Sequence, residues 1–171
     1  MPQTRVKIIL TKRGNAPPRG IALPRSLYQA LGIPPSDHML VRVGAFVERV
    51  PVVVSQLSGR VTVGNQLADE LYVPLPKTLW VRYDASAGML HIGPVVAIFS
   101  CTRKGANARS RSLFGVRTGD VRQLLRHARR INLLAFALAP EGVDASEPRY
   151  VYGYVLSGKR WQRRRLPFPD V

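Results

Sequence analysis

The 171-residue chain contains a single cysteine, few acidic residues and no long apolar run. Cys101 has no second cysteine with which to form an intramolecular disulfide, as is typical of a reducing cytoplasm. No stretch reaches the roughly 18 consecutive apolar residues that a membrane-spanning helix needs, and residues 1–5 lack the apolar core of a signal peptide. We therefore predict a cytoplasmic protein with no membrane span.

Residues that bind metals or perform catalysis are also scarce. His38, His91 and His127 are scattered in the sequence with no second ligand nearby, so a zinc site is not expected. Neither the P-loop pattern nor the G-x-G-x-x-G pattern is present. Cys101 follows a predicted buried strand without a nearby His or Asp, which predicts a packing role. The sequence predicts no catalytic residue, no metal site and no cofactor site in this chain.

The charge is strongly positive, with 26 basic and 10 acidic residues and a net charge of +16. Divided at Gly93, the two parts carry +6 and +10, so the second part is the more basic. Such a field attracts polyanions, for example nucleic acid or an acidic protein surface. A general preference for arginine as a solvent-exposed residue explains the same composition, and the sequence leaves both explanations open.

Two segments separated by 40 residues resemble each other. Residues 19–44 align with residues 59–84 without a gap. Each copy predicts a strand with alternating apolar residues, a short helix ended by proline, and a second strand. Further strands are predicted before each unit, at 6–11 and 50–55, and after it, at 45–49 and 89–92. The identical pairs are Leu27/Leu67, Leu31/Leu71, Pro34/Pro74, Val41/Val81 and Arg42/Arg82.

Two fused strand–strand–helix–strand units can interlock into a closed barrel without exposed edges. We therefore predict a double-psi β-barrel over residues 1–93, with repeats at about 6–49 and 50–92; two unrelated hairpins are the alternative. The phrase LPRSLYQALGI at 23–33 also resembles the AbrB-type DNA-binding fold, which uses one copy per chain and dimerises. That resemblance implies nucleic-acid binding as an alternative function.

Residues 94–171 have a different pattern, typical of a small α/β segment. Residues 95–99 form an apolar run expected of a strand buried on both faces. A polar loop follows, then a helix over 121–130 with Asp120 as its N-cap and Leu124 in its apolar stripe. A strand at 132–138 completes a βαβ unit, and strands at 150–156 and 161–166 form a hairpin.

Five phrases in this order carry a family resemblance: HIGPVVAIFS at 91–100, Phe114-Gly115, the Ala-Pro-Glu at 139–141, VYGYVL at 151–156 and WQRRRLPFPDV at 161–171. Together with the preceding repeat they resemble the region before the ATP-grasp core of YheC/YheD proteins, the spore-coat-associated ATP-grasp family. The resemblance implies a partial Rossmann-like, pre-ATP-grasp fold for 94–171 and possible association with sporulation. It also implies that an intact relative binds ATP and Mg²⁺ and joins a carboxylate to an amine.

In that family the residues that hold ATP and Mg²⁺ lie beyond the position of Val171, so none maps onto this chain. The resemblance therefore implies a non-catalytic recognition or scaffold module, partnered by an ATP-grasp core or by an acidic substrate or protein. Two basic clusters are candidate contacts for an anion. The first occupies the loop after the predicted strand at 95–99, where open α/β sheets bind ligands: Arg103, Lys104, Arg109, Arg111 and Arg117. A mobile loop whose charge only keeps it soluble is the alternative, and the sequence favours it. The second is a hairpin patch, in which alternation places 163 and 165 on one face and 164 on the other: Arg160, Arg163 and Arg165.

Overall fold

The computed structural model describes residues 4–12 and 15–170. Seven strands form a closed barrel in the order β1-β5-β2-β4-β3-β7-β6. The elements of the barrel are β1 (Arg5–Thr11), β2 (Ile21–Pro24), α1 (Arg25–Leu31), β3 (His38–Val43), β4 (Phe46–Ser55), β5 (Arg60–Val63), α2 (Asn65–Leu71), β6 (Lys77–Asp84) and β7 (Met89–Ile92). The prediction of a β-rich chain with a closed barrel is confirmed.

The barrel interior is filled by alternate residues of its strands. On β3, Met39, Val41 and Val43 are buried, whereas the residues between them are partly exposed. On β6, Leu79 and Val81 are buried in the same alternation. Burial of such apolar side chains stabilises the fold by about 1.5–3 kcal/mol for each one, so the period-two pattern fixes which face of each strand is internal.

Each of the two short helices is followed by a residue with a left-handed backbone conformation. Gly32 follows α1 with φ of 64°, and the next amide, that of Ile33, donates to the carbonyl oxygen of Tyr28 at 2.9 Å. Tyr72 ends α2 with φ of 53°, a conformation uncommon for a residue with a side chain. The turn at Tyr72 brings its ring within 4.8 Å of the Tyr150 ring, measured between centroids.

The second sheet has four strands in the order β11-β10-β9-β8. The strands β8 and β9 are parallel, with α3 between them in the chain, and the other two pairings are antiparallel. No helix among the described residues is long and apolar enough to cross a membrane. The elements are β8 (Val95–Phe99), α3 (Thr118–Arg130), β9 (Leu134–Leu138), β10 (Tyr150–Ser157) and β11 (Arg160–Pro167), with 3-10 turns at Gly115–Arg117 and Pro140–Gly142.

The sheet packs between the barrel and α3. On one face, Phe136 and Leu166 belong to the same buried cluster as the barrel interior. On the other face, Val121 and Leu125 of α3 pack with Trp161 in a second cluster. The molecule therefore has three layers, and the hairpin of β10 and β11 is buried on both faces only over part of its length.

Three expectations for this part are wrong. The strand β8 lies at the edge of the sheet and is not buried on both faces, since Val95 is buried but Phe99 is 62% exposed. The helix begins at Thr118, so Asp120 lies inside its first turn instead of capping it. The side chain of Leu124 is not part of the apolar stripe, because it is 52% exposed.

Two further details also differ. Cys101 is exposed in a loop and does not pack in the core, because the strand before it ends at Phe99. The separate strands expected at 45–49 and 50–55 are one continuous strand, β4, which pairs with β3 along its first part and with β2 along its second.

Candidate functional site

The basic loop between β8 and α3 is anchored at both ends. The amide of Arg103 donates to the carbonyl oxygen of Leu113 at 2.8 Å, and Leu113 is fully buried. The hydroxyl of Thr118 accepts from the amide of Phe114 at 3.0 Å. The structure places the predicted basic side chains along the exposed surface of the loop, on both sides of this anchor: Arg103, Lys104, Arg109, Arg111 and Arg117. The feature that these five side chains share is that they are exposed to solvent.

The hairpin distributes its arginines over two faces. Arg165 lies opposite Tyr152 and Arg163 opposite Tyr154, whereas Arg164 lies opposite Gly153. Since side chains alternate along a strand, Arg163 and Arg165 share a face and Arg164 points to the other. Arg160, the third predicted member of the patch, pairs with Ser157 beside the turn and belongs to the face of Arg164.

Two of these arginines lie over tyrosine rings. The guanidinium carbon of Arg163 is 5.0 Å from the Tyr152 ring centroid, and that of Arg165 is 5.0 Å from the Tyr150 centroid. Arg165 Nε also donates to the hydroxyl oxygen of Tyr152 at 3.1 Å. The Tyr150 ring contacts Tyr152 edge to face at 5.6 Å. We name this group the tyrosine–arginine surface: Tyr72, Tyr150, Tyr152, Arg163 and Arg165.

The same face of the hairpin is buried a few residues farther along. Phe114, from the basic loop, packs edge to face on Tyr154 at 5.7 Å and on Trp161 at 5.1 Å. Arg122 of α3 covers Trp161, with its guanidinium carbon 5.5 Å from the ring centroid. The aromatic cluster therefore fixes both the hairpin and the loop anchor, and it holds the tyrosine–arginine surface next to the basic loop.

Comparison with protein-family models, with curated proteins and with solved structures found no match. The chemistry of the tyrosine–arginine surface therefore rests on its own residues.

The protonation of this surface follows from its contacts. The hydrogen bond from Arg165 lowers the pKa of Tyr152 below its usual range. Burial, followed by the hydrogen bond with Tyr152, raises the pKa of Tyr150. The hydrogen bond to Tyr152, followed by the charge interaction with the Tyr150 and Tyr152 hydroxyl groups, raises the pKa of Arg165, so its guanidinium stays charged. The surface thus presents permanent positive charge that is held in place by aromatic rings.

The ion pairs found among the described residues involve cations of the barrel part and not those of this surface. Within the described parts of the chain, ion pairs are found for Lys12 with Asp69, for Arg19 with Glu48 and Glu70, and for Arg42 with Asp170. The partners of Arg165 are instead tyrosines. A guanidinium stacked on a ring keeps N–H groups on its edge that can donate to an oxyanion.

Arg164, on the opposite face, lines a groove of about 710 Å³ between the barrel and α3. Lys77, Arg126 and Arg129 line the same groove. Burial, and then the charge of Arg129, lower the pKa of Lys77. The hairpin edge therefore has basic groups on both sides.

The arginines of the surface are predicted from the sequence, but its tyrosines are not. Tyr150, Tyr152 and Tyr154 recur at every second residue, and the turn at Gly158-Lys159 sets Tyr152 opposite Arg165 and Tyr154 opposite Arg163. That period-two pattern is visible in the sequence. Tyr72 has no such signal, because its contact with Tyr150 depends on how the barrel packs on the sheet.

Proposed function

We propose that the chain is a non-catalytic recognition module that binds an acidic partner through the tyrosine–arginine surface. The observation that carries the proposal is the pair of guanidinium groups held over partly exposed tyrosine rings on one face of a hairpin. Arg163 and Arg165 are two residues apart on one strand, which spaces them by about 7 Å. Carboxylates on alternate residues of an extended acidic segment have the same spacing, so each guanidinium can donate hydrogen bonds to one carboxylate.

We further propose that the barrel is a double-psi β-barrel built from two copies of one unit. The strand register supports this. Leu10 pairs with Val61 as Val52 pairs with Ile21, and these are parallel pairings in both cases. Ile8 pairs with Leu79 as Val50 pairs with Met39, and both pairings are antiparallel. The strand pairings of one unit are thus repeated in the other, with Val61 in the place of Ile21 and Leu79 in the place of Met39.

The order of elements supports a place before an ATP-grasp core, as the resemblance to YheC/YheD proteins implies. A parallel β8–α3–β9 unit and a hairpin follow the barrel, and the phrases that carry the resemblance lie on them. The residues described in this chain do not fit Mg²⁺, because no group of three or more His, Cys, Asp or Glu side chains is arranged to hold a metal ion. In this proposal a separate ATP-grasp core supplies the ATP-binding and Mg²⁺-binding residues.

The recognition proposal is tested by fluorescence anisotropy with a labelled oligoglutamate peptide. We expect Arg163→Gln/Arg165→Gln to weaken binding by at least about a hundredfold, since each of the two charge-assisted hydrogen bonds that are lost contributes about 1.5–3 kcal/mol. The matched control, Lys159→Gln/Arg160→Gln, removes the same charge from exposed positions at the hairpin turn. Equal losses in the two variants would show that only net charge matters and would overturn the proposal. ATP hydrolysis by the purified chain in the presence of Mg²⁺ would overturn the non-catalytic assignment.

Single-stranded nucleic acid is a second candidate partner. The observation in its favour is that Tyr150 and Tyr152 are only partly buried and lie beside arginines on a sheet, the combination on which unpaired bases stack. This candidate predicts tighter binding of a single-stranded oligonucleotide than of an abasic strand with the same phosphates. Binding of both strands with equal affinity would exclude stacking, and tighter binding of duplex DNA would favour the AbrB-like alternative.

A further inference from the structure

Four nitrogen-bearing side chains form a row across the outside of the barrel. Arg5 pairs with Arg82, Arg82 pairs with His91, and His91 pairs with Arg42. These four residues lie on four adjacent strands, β1, β6, β7 and β3. Since their chain neighbours Val41, Val81 and Leu90 are fully buried inside the barrel, the row faces outward.

The row forms one wall of a cavity of about 250 Å³. Trp80, Gly93 and Pro94 line it as well, and Trp80 is fixed by a hydrogen bond from its Nε1 to the carbonyl oxygen of Ile131 at 2.9 Å. The volume lies just below the roughly 300–1,000 Å³ of pockets for drug-sized ligands. The cavity is therefore of a size that suits a ligand smaller than a typical drug molecule.

The opposite wall is the segment that follows β11. The amide of Ala45 donates to the carbonyl oxygen of Phe168 at 3.0 Å, and the amide of Asp170 donates to that of Val95 at 2.8 Å. A side chain at Gly44 would collide with the carbonyl of Phe168, so glycine at this position permits the close approach. The wall is therefore held by backbone contacts that do not depend on the charged row.

A carboxylate of the chain itself already lies in the cavity. Asp170 Oδ2 accepts from the amide of Val95 at 2.8 Å, and Asp170 Oδ1 lies 3.4 Å from an Arg42 nitrogen. Arg42 Nε donates to the carbonyl oxygen of Gly44 at 3.1 Å, which orients its guanidinium. Arg82 lies 3.4 Å from His91 Nδ1. Arg5 and Arg82 line the cavity together with Arg42 and Asp170, so the lining has a net charge of +2 with His91 neutral.

We propose that this cavity binds a small dianionic oxyanion of the phosphate-monoester class, held by Arg42 and Arg82 beside Asp170. Guanidinium groups match the oxygen atoms of a phosphate in pairs, and a dianion balances the net charge of the lining. The Asp170 carboxylate shows where in the cavity a negatively charged oxygen can lie next to Arg42. This site is separate from the tyrosine–arginine surface, and neither proposal depends on the other.

The test is isothermal titration calorimetry with inorganic phosphate and, in parallel, phenyl phosphate. We expect Arg42→Gln and Arg82→Gln each to weaken binding at least tenfold. The control Arg60→Gln removes an exposed arginine on β5 that does not line the cavity, and it should leave affinity unchanged. Tighter binding of phenyl phosphate identifies an ester as the ligand, and equal binding identifies free phosphate.

Asp170→Asn separates a binding role from a structural one. Asparagine keeps an oxygen that can accept from Val95 but removes the competing negative charge, so phosphate should bind several-fold more tightly. If the arginines serve only to hold Asp170, this variant would bind phosphate no better than wild type, and the proposal would fail.

A measurement on the unmodified protein avoids any folding defect of the variants. Phosphate should shift the imidazole proton resonances of His91 in the NMR spectrum and leave those of His38 and His127 in place. Equal shifts of all three histidines, or no shift of His91, would overturn the proposal. Arg163→Gln/Arg165→Gln should retain phosphate binding here, which distinguishes failure at one site from failure at the other.

Discussion

Replacement of Phe136 by alanine tests whether the barrel and the second sheet unfold together. Phe136 lies on β9, is fully buried, and belongs to the cluster that it shares with the barrel interior. Truncation of such a phenylalanine costs about 3–5 kcal/mol. With a urea dependence of about 2 kcal/mol/M, the unfolding midpoint should fall by about 1.5–2.5 M.

The two tryptophans allow each part to be followed separately. Trp80 is on β6 of the barrel and Trp161 is on β11 of the sheet, so Trp161→Phe leaves the barrel probe and Trp80→Phe leaves the sheet probe. In both backgrounds Phe136→Ala should lower the midpoint of the urea curve equally. Leu124→Ala, at an exposed position of α3, is the control and should change the free energy of unfolding by less than about 0.5 kcal/mol. A lower midpoint in the Trp161 signal together with an unchanged midpoint in the Trp80 signal would show that the barrel and the second sheet do not share a core.

Three further predictions concern the backbone contact and the two titrating sites. Gly44→Ala should lower thermal stability, because its side chain would meet the Phe168 carbonyl and its φ is 58°; circular dichroism melting measures this, and an unchanged melting temperature would contradict it. In a spectrophotometric titration, Tyr152 should ionise at lower pH than an ordinary tyrosine, since Arg165 lowers its pKa, and Arg165→Gln should abolish that early ionisation. Burial and then the charges of Arg82 and Arg42 lower the pKa of His91. Sulfate keeps a constant charge, so it should bind the barrel cavity about fivefold more tightly as the pH falls through the pKa of His91 and the imidazole becomes positively charged. An affinity for sulfate that does not depend on pH would contradict this. The charged groups that face His91 are Arg42, Arg82, Asp84 and Asp170.

Local periodicity was enough to predict most strands and helices. The strand β7 (Met89–Ile92) and the bounds of β8 (Val95–Phe99) agree with the expected ranges, because apolar alternation and flanking turn residues act within a few residues. Exposure was harder to predict. Phe99 belongs to an apolar run but lies at an edge, and a strand's neighbours in a sheet are set by distant parts of the chain.

The start of α3 illustrates a second limit. Thr118 begins the helix because its hydroxyl donates to the carbonyl oxygen of Gly115 and accepts from the amide of Phe114. The carboxylate at Asp120 was the stronger local signal for a cap, but the buried anchor at Phe114 fixes the earlier start.

The candidate sites likewise combine features that local sequence patterns predict with features that depend on distant parts of the chain. The shared face of Arg163 and Arg165 follows from strand alternation, so it was accessible from the sequence. The row from Arg5 through Arg82 and His91 was not, since it joins four strands whose order in the barrel differs from their order in the chain. Arg42 and Arg82 were visible only as an identical pair in the repeat, with no indication that both line one cavity.

The most direct test of the recognition function is the salt dependence of oligoglutamate binding by the two hairpin double variants. Between about 50 and about 200 mM salt, screening weakens all charge attraction, but stacked guanidinium groups that contact carboxylates directly retain specificity. The account predicts that Arg163→Gln/Arg165→Gln binds far more weakly than Lys159→Gln/Arg160→Gln at both salt concentrations. Affinities that converge as salt rises would show that the tyrosine–arginine surface acts only through net charge, contrary to the account.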